Sequence, residues 1–377
     1  MKKILFLQIK GKSYAGVWNV NKLVGEELIK KGYTVHIVSI RNNQNDIILK
    51  YDKRLIVKTI NEKDIWETYH IEDMIKEIKK IHVFKAFKMG IERIRHDIKL
   101  KKDIKKLHEY IYEYKPDYII TSHYQLLDMI PSDYLGRTIH EQHTSLKIAL
   151  SIRDNKKTFD KYKDKIKFLW LCKKAMENAI ENGYINSTYI YNAVRIKSNE
   201  RANVIKNKKL VTIARLSNEK RIDLMIEIVE NIFKDSKYKD WVFLIYGDGD
   251  QKEFLRSKIK NTKQIKLMGV TDEPKEVLLS SAINLNTSPS EGFSLSILEA
   301  YECGIPTIAF NFGESTEEQI IDGKTGIIAK DIDDYQDKLK YLMDNPDELD
   351  RMSKNAKEYA KNFTTDNVIS KWVELLK

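Results

Sequence analysis

Two carboxylates with seven residues between them, Glu291 and Glu299, form the most informative spacing in this sequence. Glu291 follows an apolar, strand-like run at 282–287, and the residues after it open a helix that ends near Gly304. The start of a helix offers backbone N–H groups and partial positive charge, which favour phosphate. A carboxylate beside such a place suits hydroxyls of a sugar or a ribose. At about 1.5 Å of rise per residue the two carboxylates span on the order of 12 Å, enough to reach from a hexose to a ribose. The alternative is a surface turn followed by one buried, capped glutamate.

Two cations occupy the corresponding place in an earlier strand–loop–helix unit. Arg215 ends the apolar strand at 210–214, and Lys220 follows five residues later, where the loop turns into a helix. Arginine supplies a planar fork of donors and lysine a compact charge, and fixed charges of this kind stabilise a departing diphosphate. In isolation such a pair is most often a solvated surface, so its interpretation depends on the carboxylate segment.

The run from Ser288 to Thr307 resembles the signature of the family 4 glycosyltransferases, which are retaining enzymes of the GT-B fold. The segment from Arg215 to Lys220 is similar to the diphosphate-binding element of that family, although Arg221 stands where the family often has glycine. The resemblance covers most of the chain and is closest after about residue 190. It implies a transferase of the bacterial cell-surface polysaccharide or teichoic acid type.

The resemblance also implies roles for individual residues. Glu291 orients the donor sugar, Glu299 binds the ribose, and Arg215 and Lys220 hold the diphosphate. Backbone N–H groups of the loop after Glu291 assist the two cations; these belong to Gly292, Phe293, Ser294 and Leu295.

A histidine at a strand end contacts the donor sugar in this family. In the segment 139–145, His143 matches that position, whereas His140 is interpreted as internal to the strand. His123 is a weaker candidate for the same role. The resemblance therefore makes His143 the predicted residue at the transfer centre.

Four further residues are expected near the donor. Gly16 belongs to the loop 10–17, where the family often has two adjacent glycines and this chain has alanine and glycine. Gly247 lies in the turn after a strand, and Gly269 and Val270 follow the next strand, close to the expected position of the base. Glycine lets backbone approach a ligand closely.

The tripeptide Asp248-Gly-Asp250 has the form of a metal-binding motif, but it follows a strand end where a turn is the more frequent structure. We therefore predict a turn, no metal and no cofactor. The nucleotide sugar, expected to be UDP-linked, is a substrate.

Alternating apolar strands and helical segments position these residues. Strands are predicted at 4–7, 33–39, 118–122 and 137–142, with a second series from 210 to 310. Such order predicts an α/β protein with two Rossmann-like, doubly wound parallel-sheet domains, and the resemblance implies that they face a cleft as in the GT-B fold. We place an acceptor-binding domain at 1–190, a nucleotide-sugar domain at 191–362, and at 363–377 a helix that crosses back to the first domain.

The 377 residues carry a net charge of +11, of which the segment 76–106 contributes twelve basic and four acidic residues. Apolar residues recur there at helical spacing, at Ile91, Ile94 and Ile98 and again at Ile104, Leu107 and Ile111. An ordinary solvated helix is one interpretation. A docking segment for anionic lipid headgroups or a polyanionic acceptor is the other. No motif for reading a nucleic acid groove accompanies the charge, so nucleic acid binding is not expected.

Only two cysteines occur, and no run of about 18 apolar residues is present, so we expect a cytoplasmic protein, in peripheral contact with the inner membrane face if the basic segment docks there. The predicted function is transfer of a hexose or N-acetylhexosamine from the nucleotide sugar to a cell-surface glycan, a lipid-linked acceptor or a teichoic-acid-type polymer. Two alternatives stay open at this point: a synthase or phosphorylase of the same fold with a small soluble acceptor, and a non-catalytic subunit that supports a partner transferase.

Overall fold

The computed structural model describes residues 1–10, 16–42, 51–65, 83–259 and 263–377. Within these ranges the strands form two separate sheets, and every neighbouring pair is parallel. Because helices cover both faces of a parallel sheet, its strands are apolar on both sides. The stretch Ile4–Leu7, where four consecutive residues are fully buried, shows this pattern.

The described part of the first sheet has seven strands: β1 (Lys3–Lys10), β2 (Thr34–Asn42), β3 (Ile56–Ile65), β4 (Tyr118–Thr121), β5 (Thr138–Gln142), β6 (Lys167–Trp170) and β7 (Ser187–Tyr189). Their spatial order is β3-β2-β1-β4-β5-β6-β7. The order runs outward from β1 to one edge and then continues from β1 to the other. This is the doubly wound arrangement, with its switch point between β1 and β4.

The second sheet repeats the arrangement. Its described strands are β8 (Lys209–Ile213), β9 (Val242–Tyr246), β10 (Ile265–Gly269), β11 (Ile283–Asn286), β12 (Thr307–Phe310) and β13 (Gly326–Ala329). The order β10-β9-β8-β11-β12-β13 places its switch point between β8 and β11. The predicted fold class, two doubly wound parallel-sheet domains, is therefore confirmed.

Helices connect the strands and flank the sheets. They are α1 (Gly16–Lys30), α2 (Val83–Tyr114), α3 (Leu146–Ser151), α4 (Arg153–Tyr162), α5 (Lys173–Glu181), α6 (Ile222–Phe233), α7 (Lys252–Lys258), α8 (Pro274–Leu279), α9 (Leu295–Glu302), α10 (Thr316–Gln319), α11 (Ile332–Asp344), α12 (Pro346–Ala360) and α13 (Thr365–Leu375). Short 3-10 helices occur at Tyr124–Met129, Ser132–Arg137, Asn218–Lys220, Ser236–Tyr238 and Lys361–Phe363. Among the described residues, no helix combines the length and the apolar character needed to cross a membrane.

The C-terminal helix α13 packs on the first sheet rather than on the second. Trp372 is buried there, and its ring centroid lies 6.2 Å from that of Phe6 in β1. Val368 and Ile369 join the same hydrophobic cluster. The end of the chain thus links the two domains, whose boundaries at 190 and 362 stay a prediction.

Helix α2 departs from the amphipathic helix that we predicted from its sequence. Leu107 and Ile111 are fully buried against the first sheet, whereas Ile91, Ile94 and Ile98 are exposed. The predicted apolar series therefore consists of two stripes on different sides of the helix. Residues 76–82 of the basic segment lie outside the described residues.

A buried ion pair holds α2 against the sheet. Arg41 at the end of β2 donates from Nε to Asp103 Oδ2 at 2.8 Å, and Asn61 of β3 donates to the other carboxylate oxygen at 2.9 Å. Both charged side chains are almost fully buried. Because a buried charge is stable only with its partner, this contact fixes the position of the helix.

Candidate active site

A small pocket lies at the carboxyl ends of β8 and β11, the switch point of the second sheet. Lys220 and Glu291 meet in it, with Lys220 Nζ 2.6 Å from Glu291 Oε1. Their side chains are 25% and 12% exposed, so the pair is shielded but still accessible. The strand ends contribute four further polar lining residues, Thr212, Asn286, Thr287 and Ser288, and α9 contributes Ser296. Ligands of doubly wound sheets bind at this place, and two of the predicted site residues come together there.

The residue after Lys220 has an unusual backbone conformation. Arg221 has φ +47° and ψ +42°, the left-handed region, and it precedes the first residue of α6. The hydroxyl of Thr287 donates to the Arg221 carbonyl at 2.8 Å and to the Lys220 carbonyl at 3.1 Å, which ties the loop to the end of β11. Glycine adopts this conformation easily, whereas other residues lose roughly 1–2 kcal/mol. This conformation explains why the family that the chain resembles often has glycine at this position. Arg221 adopts it at the cost of backbone strain.

Arg215 lies at the rim of the pocket rather than inside it. Its guanidinium is paired with Glu219, and both side chains are more than half exposed. An exposed ion pair contributes only about 0–1 kcal/mol. Arg215 can therefore exchange Glu219 for another anion, such as a diphosphate, at little cost in free energy.

Two of the glycines that we expected near the donor, Gly247 and Gly269, bring neighbouring loops together. A Cβ on Gly247 would clash with the backbone carbonyl of Ala214, the residue before Arg215. Gly247 also donates its N–H to the carbonyl of Gly269 at 2.8 Å, which joins the ends of β9 and β10. Val270 is exposed beside them. The two glycines therefore shape the loops around the pocket, and no contact in the structure tests their predicted role toward a nucleotide base.

Asp248 and Asp250 lie in the turn after β9. The Asp248 carboxylate accepts a hydrogen bond from the Gly249 N–H at 3.0 Å and lies 3.2 Å from Lys252 Nζ. The bond with Lys252, followed by that with Gly249, lowers the pKa of Asp248. This carboxylate stabilises the turn and the start of α7, as the turn interpretation predicted. That the reaction needs no metal stays a prediction.

The loop after Glu291 is anchored by an aromatic residue. Helix α9 begins at Leu295, so Glu291 precedes the first turn instead of opening it. Phe293 is buried, and its ring stacks on Tyr191 with centroids 5.0 Å apart. Its carbonyl accepts a hydrogen bond from the Asn192 amide at 2.9 Å. The side chain of Phe293 therefore serves packing between the domains.

Gln319 brackets Ser294 in the same loop. Its Oε1 accepts the N–H of Ser294 at 2.8 Å, and its Nε2 donates to the Ser294 carbonyl at 3.0 Å. The Ser294 N–H is thus already bonded within the protein in this conformation. It is therefore not available to a diphosphate, although we expected the N–H groups of residues 292–295 to bind one.

The first domain meets the loop directly at His143. A Cβ on Gly292 would clash with the His143 carbonyl, so glycine is required for this approach. Ser145 Oγ lies 3.4 Å from Ser290 Oγ at the same interface. The structure therefore places the predicted histidine beside the loop that carries Glu291.

A buried carboxylate lies next to His143. Glu141 Oε2 is 3.1 Å from His143 Nε2, and the two atoms are not aligned for a hydrogen bond. Glu141 belongs to β5, and His143 directly follows the last residue of that strand. Glu141 restricts the orientation of the imidazole.

The other two histidines differ from His143. His140 is fully buried, its Nδ1 is 3.0 Å from Thr121 Oγ1, and burial lowers its pKa to about 3. It is a neutral core residue, as the interpretation of an internal position predicted. Loss of surrounding water, and then the charges of His143 and Lys10, lower the pKa of His123 to about 4. His123 is therefore a largely neutral residue of the first domain.

Glu299 is not open to solvent. Arg195, in the segment between the domains, donates from Nε to Glu299 Oε1 at 2.6 Å, and its Nη2 lies 2.6 Å from the same oxygen. The Glu299 side chain is 3% exposed and that of Arg195 34%. Burial raises the pKa of Glu299, and the charge and hydrogen bond of Arg195 oppose that rise. Glu299, the residue predicted to bind the ribose, therefore already has a protein partner on one of its carboxylate oxygens.

Gly16 is the first residue of α1, and a Cβ there would meet no atom within 4 Å. The rest of the predicted glycine-bearing loop, residues 11–15, lies outside the described residues. The structure thus leaves the expected contact of Gly16 with the donor as a prediction.

A second carboxylate connects the domains away from the pocket. Glu318 accepts the N–H groups of Lys173 and Lys174 at 2.9 and 2.6 Å, and the hydroxyl of Tyr191 at 2.8 Å. Glu318 belongs to α10 of the second domain, whereas the two N–H groups begin α5 of the first. A carboxylate at a helix N-terminus is favourable, so this contact latches the domains together.

Sequence reasoning missed four of these residues. Arg195 lies five residues after the predicted domain boundary at 190, and Glu141 lies between the two histidines that were considered, so both adjoin segments already singled out. Glu318 and Gln319 stand in a polar stretch with no spacing or motif of their own. Only the folded structure brings these two residues to the domain interface.

Comparison with known proteins identifies the second domain. The family model "Glycosyl transferases group 1" matches residues 195–359, which include the pocket at the switch point. Residues 195–359 are therefore similar to group 1 glycosyltransferases. The resemblance inferred from Ser288–Thr307 is thereby confirmed.

Proteins similar to this chain include the poly(ribitol-phosphate) alpha-N-acetylglucosaminyltransferase of Staphylococcus aureus (strain COL), 31% identical over 170 residues. That match covers 43% of this chain and 34% of the relative, so the chain spans about a third of that relative's length. The poly(glycerol-phosphate) alpha-glucosyltransferase of Bacillus subtilis (strain 168) is 22% identical over 378 residues, which are 90% of this chain and 56% of the relative.

Among solved structures, an S. aureus TarM variant in complex with fondaparinux, alpha-GlcNAc-glycerol and UDP superimposes with a TM-score of 0.76. The superposition covers all of both chains at 16% identity. At that identity the likeness shows the fold, which is the GT-B arrangement expected from the sequence.

Proposed function

We propose that this protein is a retaining glycosyltransferase that moves a hexose or N-acetylhexosamine from a UDP-sugar to a teichoic-acid-type or related cell-surface acceptor. The observation that carries the proposal is the Lys220–Glu291 pair at the switch point of a group 1 glycosyltransferase domain. It provides a cation for the diphosphate and a carboxylate for sugar hydroxyls within one pocket.

The relatives support the choice of substrates. Two of them act, by name, on poly(ribitol phosphate) and poly(glycerol phosphate), and the TarM variant was solved with UDP. Both names specify an alpha product. Because UDP-glucose and UDP-N-acetylglucosamine are alpha-linked donors, an alpha product corresponds to retention.

The proposed reaction needs no nucleophile from the protein. The acceptor oxygen bonds to the anomeric carbon on the face that the diphosphate leaves, the bond to the diphosphate breaks, and a diphosphate oxygen takes the acceptor proton. Lys220, with Arg215 after it leaves Glu219, stabilises the charge that develops on the leaving group. Glu291 accepts from sugar hydroxyls. His143 borders the sugar from the first domain, with its carbonyl toward the loop of Gly292.

These protein cations also underlie our proposal that transfer is independent of a metal. The test is release of the nucleoside diphosphate from a panel of UDP-, GDP- and ADP-sugars in the presence of EDTA, with poly(ribitol phosphate), poly(glycerol phosphate) or a free sugar as acceptor. Lys220→Ala is the inactive variant. Lys208→Ala is its control, because Lys208 is an exposed lysine paired with Asp240 away from the pocket.

Three outcomes distinguish the candidates. UDP release coupled to labelling of a polymer, insensitive to EDTA and lost in Lys220→Ala, is the expected result. Transfer to free sugars alone would favour the soluble-acceptor synthase. Failure to bind any nucleotide in calorimetry would contradict the proposal and favour a non-catalytic subunit.

The proposed place of action is the cytoplasmic face of the cell membrane, where lipid-linked precursors and nascent polymers are available. The basic segment 76–106 is the part of the chain that an anionic partner would contact. The distribution of apolar and basic residues over the surface of helix α2 distinguishes a polymer from a lipid surface as that partner.

A further inference from the structure

The outward face of helix α2 carries a continuous stripe of exposed apolar residues. Phe87, Ile91, Ile94 and Ile98 are 65%, 37%, 61% and 54% exposed. Their spacings of four, three and four residues align them along one side of an α-helix. Single exposed apolar residues are common, whereas an aligned set of four marks an interaction surface.

The stripe points away from the body of the protein. Leu107 and Asp103, both buried, follow Ile98 and Ile94 by nine residues each. At 3.6 residues per turn this separation is two and a half turns, so the buried residues lie on the opposite side of the helix. The ion pair of Asp103 with Arg41 fixes that orientation.

The same outward side becomes basic toward the C-terminal half of α2. Lys101, Lys102 and Lys105 follow Ile98 by three, four and seven residues, which continues the stripe. All three side chains are exposed. From Phe87 to Lys105 the surface extends about 27 Å along the helix axis, at about 1.5 Å per residue. Apolar residues occupy one half and ammonium groups the other.

A surface with an apolar half and a basic half indicates what kind of partner binds it. A poly(ribitol phosphate) chain offers phosphates to the lysines but nothing apolar to cover three isoleucines and a phenylalanine. In a parallel pair, a second copy of this chain brings lysines close to lysines, which repel, and in an antiparallel pair it lays lysines on the apolar half of its partner, which desolvates their charges. An anionic bilayer supplies headgroup phosphates and an apolar boundary just beneath them.

We propose that α2 lies flat on an anionic membrane, with the stripe from Phe87 to Ile98 in the acyl boundary and Lys101, Lys102 and Lys105 on lipid phosphates. The contact places the first domain against the bilayer through a face that is opposite its own core. It concerns where the protein works and does not depend on the transfer reaction.

The test is flotation of the full chain with vesicles of phosphatidylcholine alone or of equal parts phosphatidylcholine and phosphatidylglycerol. We expect binding to the mixed vesicles only. Replacing all three lysines by glutamine should lower the partition coefficient on the order of 100-fold, because each lysine near an anionic surface contributes about fivefold. Ile94→Gln with Ile98→Gln should lower it at least about tenfold, also at high salt, where the lysine contribution is screened.

The matched control is Ile185→Gln with Ile205→Gln, two exposed isoleucines outside α2, which should leave binding unchanged. Equal binding by the Ile94/Ile98 variant and the unmodified chain would overturn the proposal. So would binding to poly(glycerol phosphate) but not to vesicles, or a dimer in light scattering that the isoleucine substitutions abolish. Donor hydrolysis, measured in parallel without lipid, separates these outcomes from a failure of the proposed reaction.

Discussion

The burial of the ion pair between Arg195 and Glu299 allows us to predict how much stability the protein loses when the pair is broken. Arg195→Met keeps the length of the side chain but leaves a 3% exposed carboxylate without its cation. Removal of one partner from a buried ion pair costs about 3–5 kcal/mol, and the partial exposure of Arg195 places this case near about 3 kcal/mol. For a domain of this size, about 3 kcal/mol corresponds to a fall in Tm of about 6–12 °C.

The loss should depend on pH, because the raised pKa of Glu299 means that the native state binds its proton more tightly than the unfolded chain. For this group, stability is greatest below the unfolded pKa and is lost as pH rises through the folded pKa. Removal of Arg195 raises the folded pKa further. The fall in Tm should therefore be small near about pH 5 and large near about pH 8.

Thermal unfolding followed by circular dichroism, with Glu299→Gln and the double variant, measures the coupling between the two residues. Arg201→Met is the control, because Arg201 has a similar exposure and its partner Asp350 is more solvated, while its other partner, the Ser353 hydroxyl, keeps its own bond to the Gly304 carbonyl, so about 1 kcal/mol should be lost. Equal falls in Tm at both pH values, or additive effects of the two substitutions, would refute the argument.

Four shorter predictions concern the pocket and the domain interface. Lys220→Ala should reduce turnover at least about 100-fold in steady-state kinetics, and near-normal turnover would rule out its diphosphate role. Arg221→Gly should raise stability by about 1 kcal/mol in denaturant titration, since glycine relieves the left-handed strain; a loss would contradict this. Glu318→Ala should speed amide exchange at the start of α5 at least about tenfold, and unchanged exchange would argue against the latch. Glu291→Gln should tighten UDP binding about fivefold in calorimetry while slowing transfer, because it removes the competitor for Lys220; weaker binding would contradict that competition.

Much of the fold was predictable because its strands are apolar runs between turn residues. β1, β2 and β8 have that form, and each begins within one residue and ends within three residues of its predicted position. β3, in contrast, is an edge strand with mixed polar and apolar residues, and β7 has only three residues. Neither gives a periodic signal that separates it from a loop. Fold class could therefore be inferred from the buried strands, while the edges required the structure.

The candidate site divides in the same way. Lys220 and Glu291 follow strand ends, and parallel strands bring their carboxyl ends to one edge, so their meeting could be anticipated. Arg195 and Glu318 act across the domain interface, and no local spacing encodes which side chain they reach. Their partners depend on how the second domain rests on the first.

The paired charges of the pocket suggest why its cations can be positioned before a substrate arrives. Lys220 and Arg215 each contact a carboxylate, from Glu291 and Glu219 respectively, so neither ammonium nor guanidinium faces a neighbouring cation alone. In the proposed reaction, a diphosphate that enters replaces one anion by another, and Glu291 is released toward the sugar hydroxyls. The charges need little rearrangement for this exchange, and preorganised charge is what stabilises a leaving group most effectively. Because Glu299 is instead held by Arg195 near the domain boundary, the position of this proposed ribose carboxylate depends on that segment, whereas the proposed diphosphate site is built within the second domain alone.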